Sequence, residues 1–182
     1  MIIGLCGKKQ SGKSTLAAYL VKTHDFAELS WASPLKDLIG IKLLGLTKDQ
    51  VYGSEVQKET IDPFWGKSPR QLLQIIGTDC FREKVDPDFW VKIGRRTIED
   101  FSFNKGYNVV VSDCRFPNEL DTIKSLQDGY VVQVTRSDRP SLDMHASETA
   151  LDNYTGYDLT IDAKSGEIDK LKYQIDAFIG GK

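Results

Sequence analysis

Eight residues near the start of the chain constrain it more than any others. Gly7-Lys8-Lys9-Gln10-Ser11-Gly12-Lys13-Ser14 fits G-x-x-x-x-G-K-[ST]; it follows the apolar run Ile2-Ile3-Gly4-Leu5-Cys6 and opens a segment of helical spacing. A buried strand, a glycine loop and a helix in that order let several backbone N–H groups converge on one phosphate chain. The helix N-terminus adds a favourable dipole. Lys13 is placed to reach β- and γ-phosphates, and Ser14 to hold Mg²⁺ through its hydroxyl. On average residue frequencies a chance match in a chain of this length is about one in a hundred. Phosphate binding is therefore the stronger reading, and an ordinary glycine-rich turn the weaker.

The rest of the chain alternates apolar runs with helical spacing. Residues 13–23 predict a helix with Leu16, Leu20 and Val21 on its buried face. Phe26 to Trp31 predicts a strand. Ser33-Pro34 is a helix start, since serine caps free N–H groups and proline suits the first turn. Leu35, Leu38, Ile39, Leu43 and Leu46 follow it at helical spacing. Residues 47–67, broken by Gly53, Pro63 and Gly66, read as a mixed loop with a short helix. Ser68-Pro69 starts a helix burying Leu72, Leu73, Ile75 and Ile76, and Asp86-Pro87 starts another carrying Phe89, Trp90 and Ile93. Val109-Val110-Val111 is a buried strand ending in Ser112-Asp113. A helix over 117–127, a strand from Tyr130 to Thr135, a polar stretch over 136–153, a short strand Leu159-Thr160-Ile161 and a closing helix with Ile168, Leu171, Ile175 and Phe178 complete the pattern. Strands alternating with helices imply an α/β fold, a parallel sheet flanked by helices on both faces. The expected organisation is one domain over 1–182. Residues 1–33 and 103–182 would form its core, 34–102 a helical insertion, and 136–153 a lid within the core.

Composition narrows the function classes. The net charge is −2 and the pI about 5.7, without the basic excess of a protein that lives on duplex phosphate. No apolar run approaches a membrane span. No basic start leads into an apolar stretch and a cleavage site, so export is not expected. Cys6, Cys80 and Cys114 are far apart and odd in number; they read as three buried thiols in a reducing cytoplasm rather than a metal site or disulfide framework.

Further residues suggest a reaction. Asp113 ends a strand, where a carboxylate would face Mg²⁺ directly or through water. Arg115 follows it, and Arg70, Arg82, Arg136 and Arg139 fall in or near loops and helix starts. Guanidinium groups suit a cleft where phosphates gather, and Arg136 and Arg139 lie where a lid would carry cations onto a transferred phosphoryl group. His24 reads as a polar helix-end residue and His145 as a lid residue without metal-ligand spacing. Trp90 and Phe89 read equally as core or as a stacking surface for a base.

These residues resemble a known family, the bacteriophage deoxynucleoside monophosphate kinases. The similarity runs through Gly7 to Thr15, Ser33-Pro34-Leu35-Lys36-Asp37, Pro69-Arg70-Gln71-Leu72-Leu73-Gln74 with Gly77-Thr78-Asp79, Phe89-Trp90-Val91-Lys92, Ser112-Asp113-Cys114-Arg115, Thr135-Arg136, and Leu159 to Gly166. Asp113-x-Arg115 and Glu148 to Asn153 are also similar to animal phosphomevalonate kinases. The resemblance implies a P-loop NTPase fold with a helical monophosphate-binding insertion and a lid. It implies transfer from ATP to a dNMP, with NMP as a further acceptor, in the presence of Mg²⁺. Gly7, Lys9, Ser11, Gly12, Lys13, Ser14 and Thr15 would bind ATP together with Arg136 and Arg139. Lys13, Asp113, Arg115 and Arg136 would serve catalysis, and Ser14 and Asp113 the metal. Ser33, Lys36, Arg70, Gln74, Thr78, Asp79, Arg82, Trp90, Arg115 and Glu119 would surround the acceptor, Trp90 against its base. The implied setting is the cytoplasm, of an infected bacterium if the source is a phage. The only partner needed is the small-molecule substrate, with no nucleic acid or membrane, and a homodimer is compatible.

Two alternatives share the P-loop. One is a kinase for another small phosphorylated acceptor, which would not need a base-stacking Trp90 or a base-reading Gln74. The other is a non-catalytic nucleotide-dependent switch; the Asn-Lys-x-Asp signature of guanine readers is absent.

Overall fold

Five apolar residues in a row, Ile2–Cys6, form strand β1, and all five are buried. Such a run suits a strand covered on both faces, as parallel sheets require. The computed structural model describes residues 1–138 and 149–182. These fall into two compact units, Met1–Ser30 with Gly94–Lys182, and Trp31–Ile93.

The first unit is built on β1, β2 (Phe26–Leu29), β3 (Asn108–Cys114), β4 (Gly129–Thr135) and β5 (Leu159–Asp162), in the order β2-β3-β1-β4-β5. Every neighbouring pair is parallel. The central neighbours β1 and β3 send their connections in opposite directions, to β2 and β4. Ligands of open α/β sheets bind at the carboxyl ends of strands beside such a switch point. On one face Ile3, Leu5, Val110, Val132, Val134 and Ile161 pack with Leu16, Ala17 and Leu20 of the helix Lys13–His24 and with Leu171 and Ile175 of the helix Ile168–Gly180. The helix Pro117–Ser125 buries Leu120 and Ile123. Ile123 approaches Gly4 so closely that a Cβ there would sit 3.1 Å from it. Val21, expected in the core, is 39% exposed; Ala17, one turn earlier, takes the inward position.

The second unit is helical. Its small apolar centre is Leu46, Val51 and Leu72, with Ile41, Leu44 and Leu73 against it. Residues 47–67, expected as a loop with one short helix, hold two, Lys48–Tyr52 and Glu55–Glu59. Thr47 with Gln50 and Ser54 with Gln57 close reciprocal capping boxes, as Ser68 with Gln71 does for Pro69–Gln74. Each box satisfies two end donors, which supports helices too short to persist alone. The segment Leu35–Leu43 winds with i→i+5 bonds, exemplified by Leu44 N–H to Ile39 O at 2.8 Å. Side chains at α-helical spacing therefore drift around its surface. Leu38 and Leu43, expected inside, are 53% and 70% exposed, while Gly40 is buried. The same winding over Ile75–Val85 leaves Ile75 36% exposed. Cys80, expected buried, is exposed, whereas Cys6 and Cys114 are covered. Among the described residues no helix is long and apolar enough to cross a membrane.

Candidate functional site

The loop between β1 and the helix Lys13–His24 has a backbone that only its own sequence permits. Gly7 has φ 140°, and a Cβ there would lie 2.1 Å from the Val134 carbonyl of β4. Gly12 has φ 105° at the helix N-cap. Glycine reaches both conformations without steric penalty. The Ser11 N–H donates to Lys8 O at 3.2 Å, tightening the turn. Lys13 folds back over it, its Nζ donating to Gly7 O at 2.6 Å and Lys8 O at 2.8 Å. Ser14 and Thr15 stand exposed in the first helical turn, and Lys9 is exposed on the loop. Ser11 is 4% exposed, yet its Oγ has no hydrogen-bond partner among the described residues. A buried hydroxyl without a partner is unfavourable, and an anion seated in the loop would supply one.

Asp113 lies beside this loop through strand pairing. The β1–β3 register passes from Gly4↔Val111 to Cys6↔Cys114, so Leu5 is opposed by both Ser112 and Asp113. Such a bulge re-aims side chains at a strand end. Ser30 Oγ donates to Asp113 Oδ2 at 2.6 Å. Just beyond, Glu119 is 2% exposed, and its Oε2 accepts the backbone N–H of Arg115 at 2.7 Å and of Phe116 at 3.1 Å. The resemblance set Glu119 beside substrate. In the structure its carboxylate holds the turn that carries Arg115, since a buried charge needs such donors.

The third contribution follows β4. Arg136 Nη1 donates to Gln10 O at 3.0 Å, closing onto the glycine loop across 126 residues of sequence, and its Nε meets Asp138 Oδ1 at 3.3 Å. Asp138 accepts the Ser165 N–H, which, with the Arg136 charge, holds its carboxyl below the ordinary carboxylate range. Lys13, Ser14, Asp113 and Arg136 thus sit in or beside segments leaving the carboxyl ends of three adjacent strands. Cys6 immediately precedes the loop and is buried, and that burial pushes its thiol up to about 12 despite the nearby Lys13 charge. Arg139 and His145 lie outside the described residues.

Ser14 and Asp113 offer only oxygen donors, the set that Mg²⁺ prefers, and Mg²⁺ characteristically completes its shell with waters and phosphate oxygens. Among the described residues no cluster of three or more His, Cys, Asp or Glu side chains offers an all-protein metal cage. The donor set fits a magnesium ion that arrives with a polyphosphate.

The second unit holds the remaining expected residues. Arg70, Gln74, Thr78 and Arg82 recur every fourth residue along the continuous segment Pro69–Gln74 and Ile75–Val85, with Gln74, Thr78 and Asp79 exposed. Arg70 is held by two glutamates, Nη2 to Glu55 Oε2 at 2.9 Å and Nε to Glu59 Oε1 at 3.2 Å. Ser33 is half-buried, and Lys36 Nζ stands 4.8 Å over the Tyr52 ring. Trp90 is 5% exposed. Its Nε1 donates to Gly77 O at 2.8 Å, and its ring meets Phe81 and Phe89 edge to face. The indole is thus largely covered by protein, as a core residue would be. Gly77 is small for the same reason, since a Cβ there would lie 2.6 Å from Leu35. Sequence reasoning missed Ser30, Asp138, Glu55 and Glu59, which act by pairing with distant residues and match no motif.

Comparisons with known proteins give the family and the fold. A family model described as "Deoxynucleotide monophosphate kinase" matches residues 55–175. A protein of Acanthamoeba polyphaga mimivirus named "Putative deoxynucleotide monophosphate kinase" is 38% identical over 170 residues, spanning 88% of this chain and 87% of its own. The "Deoxynucleotide monophosphate kinase" of Enterobacteria phage T4 is 25% identical over 232 residues, spanning 93% of this chain and 95% of its own. Among solved structures, TT1252 from Thermus thermophilus superposes with a TM-score of 0.54 at 17% identity, covering 100% of this chain and 97% of that one, a likeness of fold.

Proposed function

The chain belongs to the deoxynucleotide monophosphate kinase family, and from that premise we propose that it transfers the γ-phosphoryl group of ATP to a deoxynucleoside monophosphate, giving ADP and the diphosphate. The observation that carries the reading is the convergence of the Gly7–Ser14 loop, Asp113 and Arg136 at the carboxyl ends of β1, β3 and β4. The loop N–H groups and Lys13 bind the donor phosphates. The lysine exchanges its contacts with Gly7 O and Lys8 O for phosphate oxygens. Ser14 and Asp113 hold Mg²⁺, which neutralises charge on the donor phosphates. Arg115 and Arg136 stabilise the transferred group. The loose transition state of phosphoryl transfer needs alignment and charge neutralisation, so no side chain acts as general base. Arg70 and Arg82 bind the acceptor phosphate, and Gln74, Thr78 and Asp79, exposed on the same helical segment, contact its nucleoside; Trp90 supports them from behind. Such a reaction belongs in the cytoplasm and needs no nucleic acid, in keeping with the net charge of −2.

The test is a coupled ADP-release assay with ATP, Mg²⁺ and each dNMP and NMP in turn. Turnover that depends on a nucleotide acceptor is expected. Silence with every nucleotide, from folded protein that still binds ATP, would transfer the reading to another phosphorylated acceptor or to a switch.

A further inference from the structure

Segment 149–158, whose first residues fall within the stretch expected as a lid, is tied to the sheet and the glycine loop. Asp158 Oδ2 accepts the Val131 N–H of β4 at 2.8 Å. Tyr154 Oη donates to Asp121 Oδ1 at 2.9 Å, and Lys124 Nζ donates to Gly156 O at 2.8 Å, both on the helix Pro117–Ser125. Turn bonds from Asp152 N–H to Thr149 O and from Tyr154 N–H to Leu151 O wind the segment upon itself. Tyr157 Oη donates to Leu151 O, and the Tyr157 side chain meets the buried thiol of Cys6, the residue before Gly7. From this fixed base Asp152 reaches the second residue of the glycine loop and pairs with Lys8 Nζ.

We infer that segment 149–158 is a brace for the donor-nucleotide loop, and that Asp152, acting through Lys8, is a positioning residue for ATP. A loop with two glycines at positive φ loses much conformational freedom when it closes on a phosphate chain. Contacts that hold the bound shape beforehand reduce that loss and raise affinity. Other restraints on the loop come from its own residues Ser11 and Lys13, or from Arg136, which also faces the nucleotide in the proposed reading. The Lys8–Asp152 pair restrains the loop from outside that set. Both partners are well exposed, at 39% and 49%, so the pair adds little to global stability. Its effect falls on the loop.

The inference rests on the kinase reading only for the identity of the ligand. The test is an equilibrium titration of the whole protein with a fluorescent ATP analogue and Mg²⁺, alongside KM values for ATP and dNMP. Asp152→Ala should weaken binding of the analogue about two- to fivefold and raise KM for ATP in parallel, leaving KM for dNMP and the melting temperature at wild-type values. Asp152→Glu should restore affinity. In a Lys8→Ala background Asp152→Ala should add nothing, the signature of one shared interaction. Tyr154→Phe, which loosens the brace at Asp121, should shift affinity the same way and less. Unchanged affinity in both Asp152→Ala and Tyr154→Phe overturns the inference. So does tighter binding, which would make the pair a restraint withholding Lys8 from phosphate, or an additive effect in the Lys8→Ala background. If no dNMP is phosphorylated, the kinase reading falls and the titration still decides the brace. If the titration fails in an active enzyme, only the brace falls.

Discussion

The two compact units hold their polar residues on different supports. In the sheet unit the proposed donor residues lie at or just beyond the ends of β1, β3 and β4, strands whose central residues are buried, and three of them are tied back. Lys13 is tied to Gly7 and Lys8, Arg136 to Gln10, and Asp113 to Ser30. In the helical unit Arg70, Gln74, Thr78 and Arg82 stand along one helical segment, over an apolar centre of three buried residues and their neighbours. Large apolar side chains such as Leu43, Val56 and Phe64 stay exposed there. Thirteen buried residues form the main cluster of the sheet unit. Local stability follows buried apolar contact, so the sheet unit is the rigid reference and the helical unit the part that opens more readily. Under the proposed function the difference would separate donor handling, on loops tied to the sheet, from acceptor handling, on side chains along one helical segment.

That contrast can be broken at several points. Lys13→Ala should reduce transfer at least about 10³-fold with circular dichroism and melting unchanged, because it deletes a loop charge and no core volume. Near-normal turnover would end the donor-loop mechanism. Trp90→Ala should destabilise by about 3 kcal/mol, with hydrogen exchange accelerating in Trp31–Ile93 more than in β1, β3 and β4. A rise in acceptor KM without loss of stability would return Trp90 to a base-contacting role. Asp113→Asn should slow transfer about tenfold to a hundredfold and shift the Mg²⁺ titration; an unchanged titration removes the metal role. Glu55→Gln with Glu59→Gln should release Arg70 and lower KM for dNMP about two- to fivefold, the scale of exposed ion pairs, leaving KM for ATP alone. An effect on ATP instead would argue against the division of labour. The smallest effect is in thiol labelling. Native protein at mildly alkaline pH should show one fast thiol, Cys80, while Cys114 stays covered and Cys6, with its pKa pushed up to about 12, stays both covered and protonated. Three fast thiols would mean that the sheet unit opens as readily as the helical one.

Local patterns were legible in the sequence. The glycine loop declares itself because each position answers a steric or charge demand met within eight residues. The strand that carries Asp113 was legible because Val109-Val110-Val111 is a wholly apolar run, and the aspartate falls near its end. Legibility failed where the turn of the chain changed. Leu38 and Leu43 were placed inside on α-helical spacing, and i→i+5 winding turned them outward. The boxes at Thr47/Gln50 and Ser54/Gln57 were present as sequence signals, but Gly53, Pro63 and Gly66 obscured them. Trp90 and Glu119 were the right residues to notice. Their burial is what one-dimensional pattern does not report for a lone aromatic or a lone carboxylate.

By itself the sequence determined the strand–glycine loop–helix at residues 2–24, the parallel α/β architecture, and the residue types available to the proposed phosphoryl transfer. Steric permission and side-chain chemistry act between near neighbours, so they are written locally. Only the tertiary structure decided that the Gly7 carbon must fit under the Val134 carbonyl, that Arg136 closes on Gln10, and that Asp152 reaches Lys8 across 144 residues. Those contacts depend on the strand order β3-β1-β4 and its register. Order and register are set by the packing of the whole sheet, which no short stretch of residues encodes.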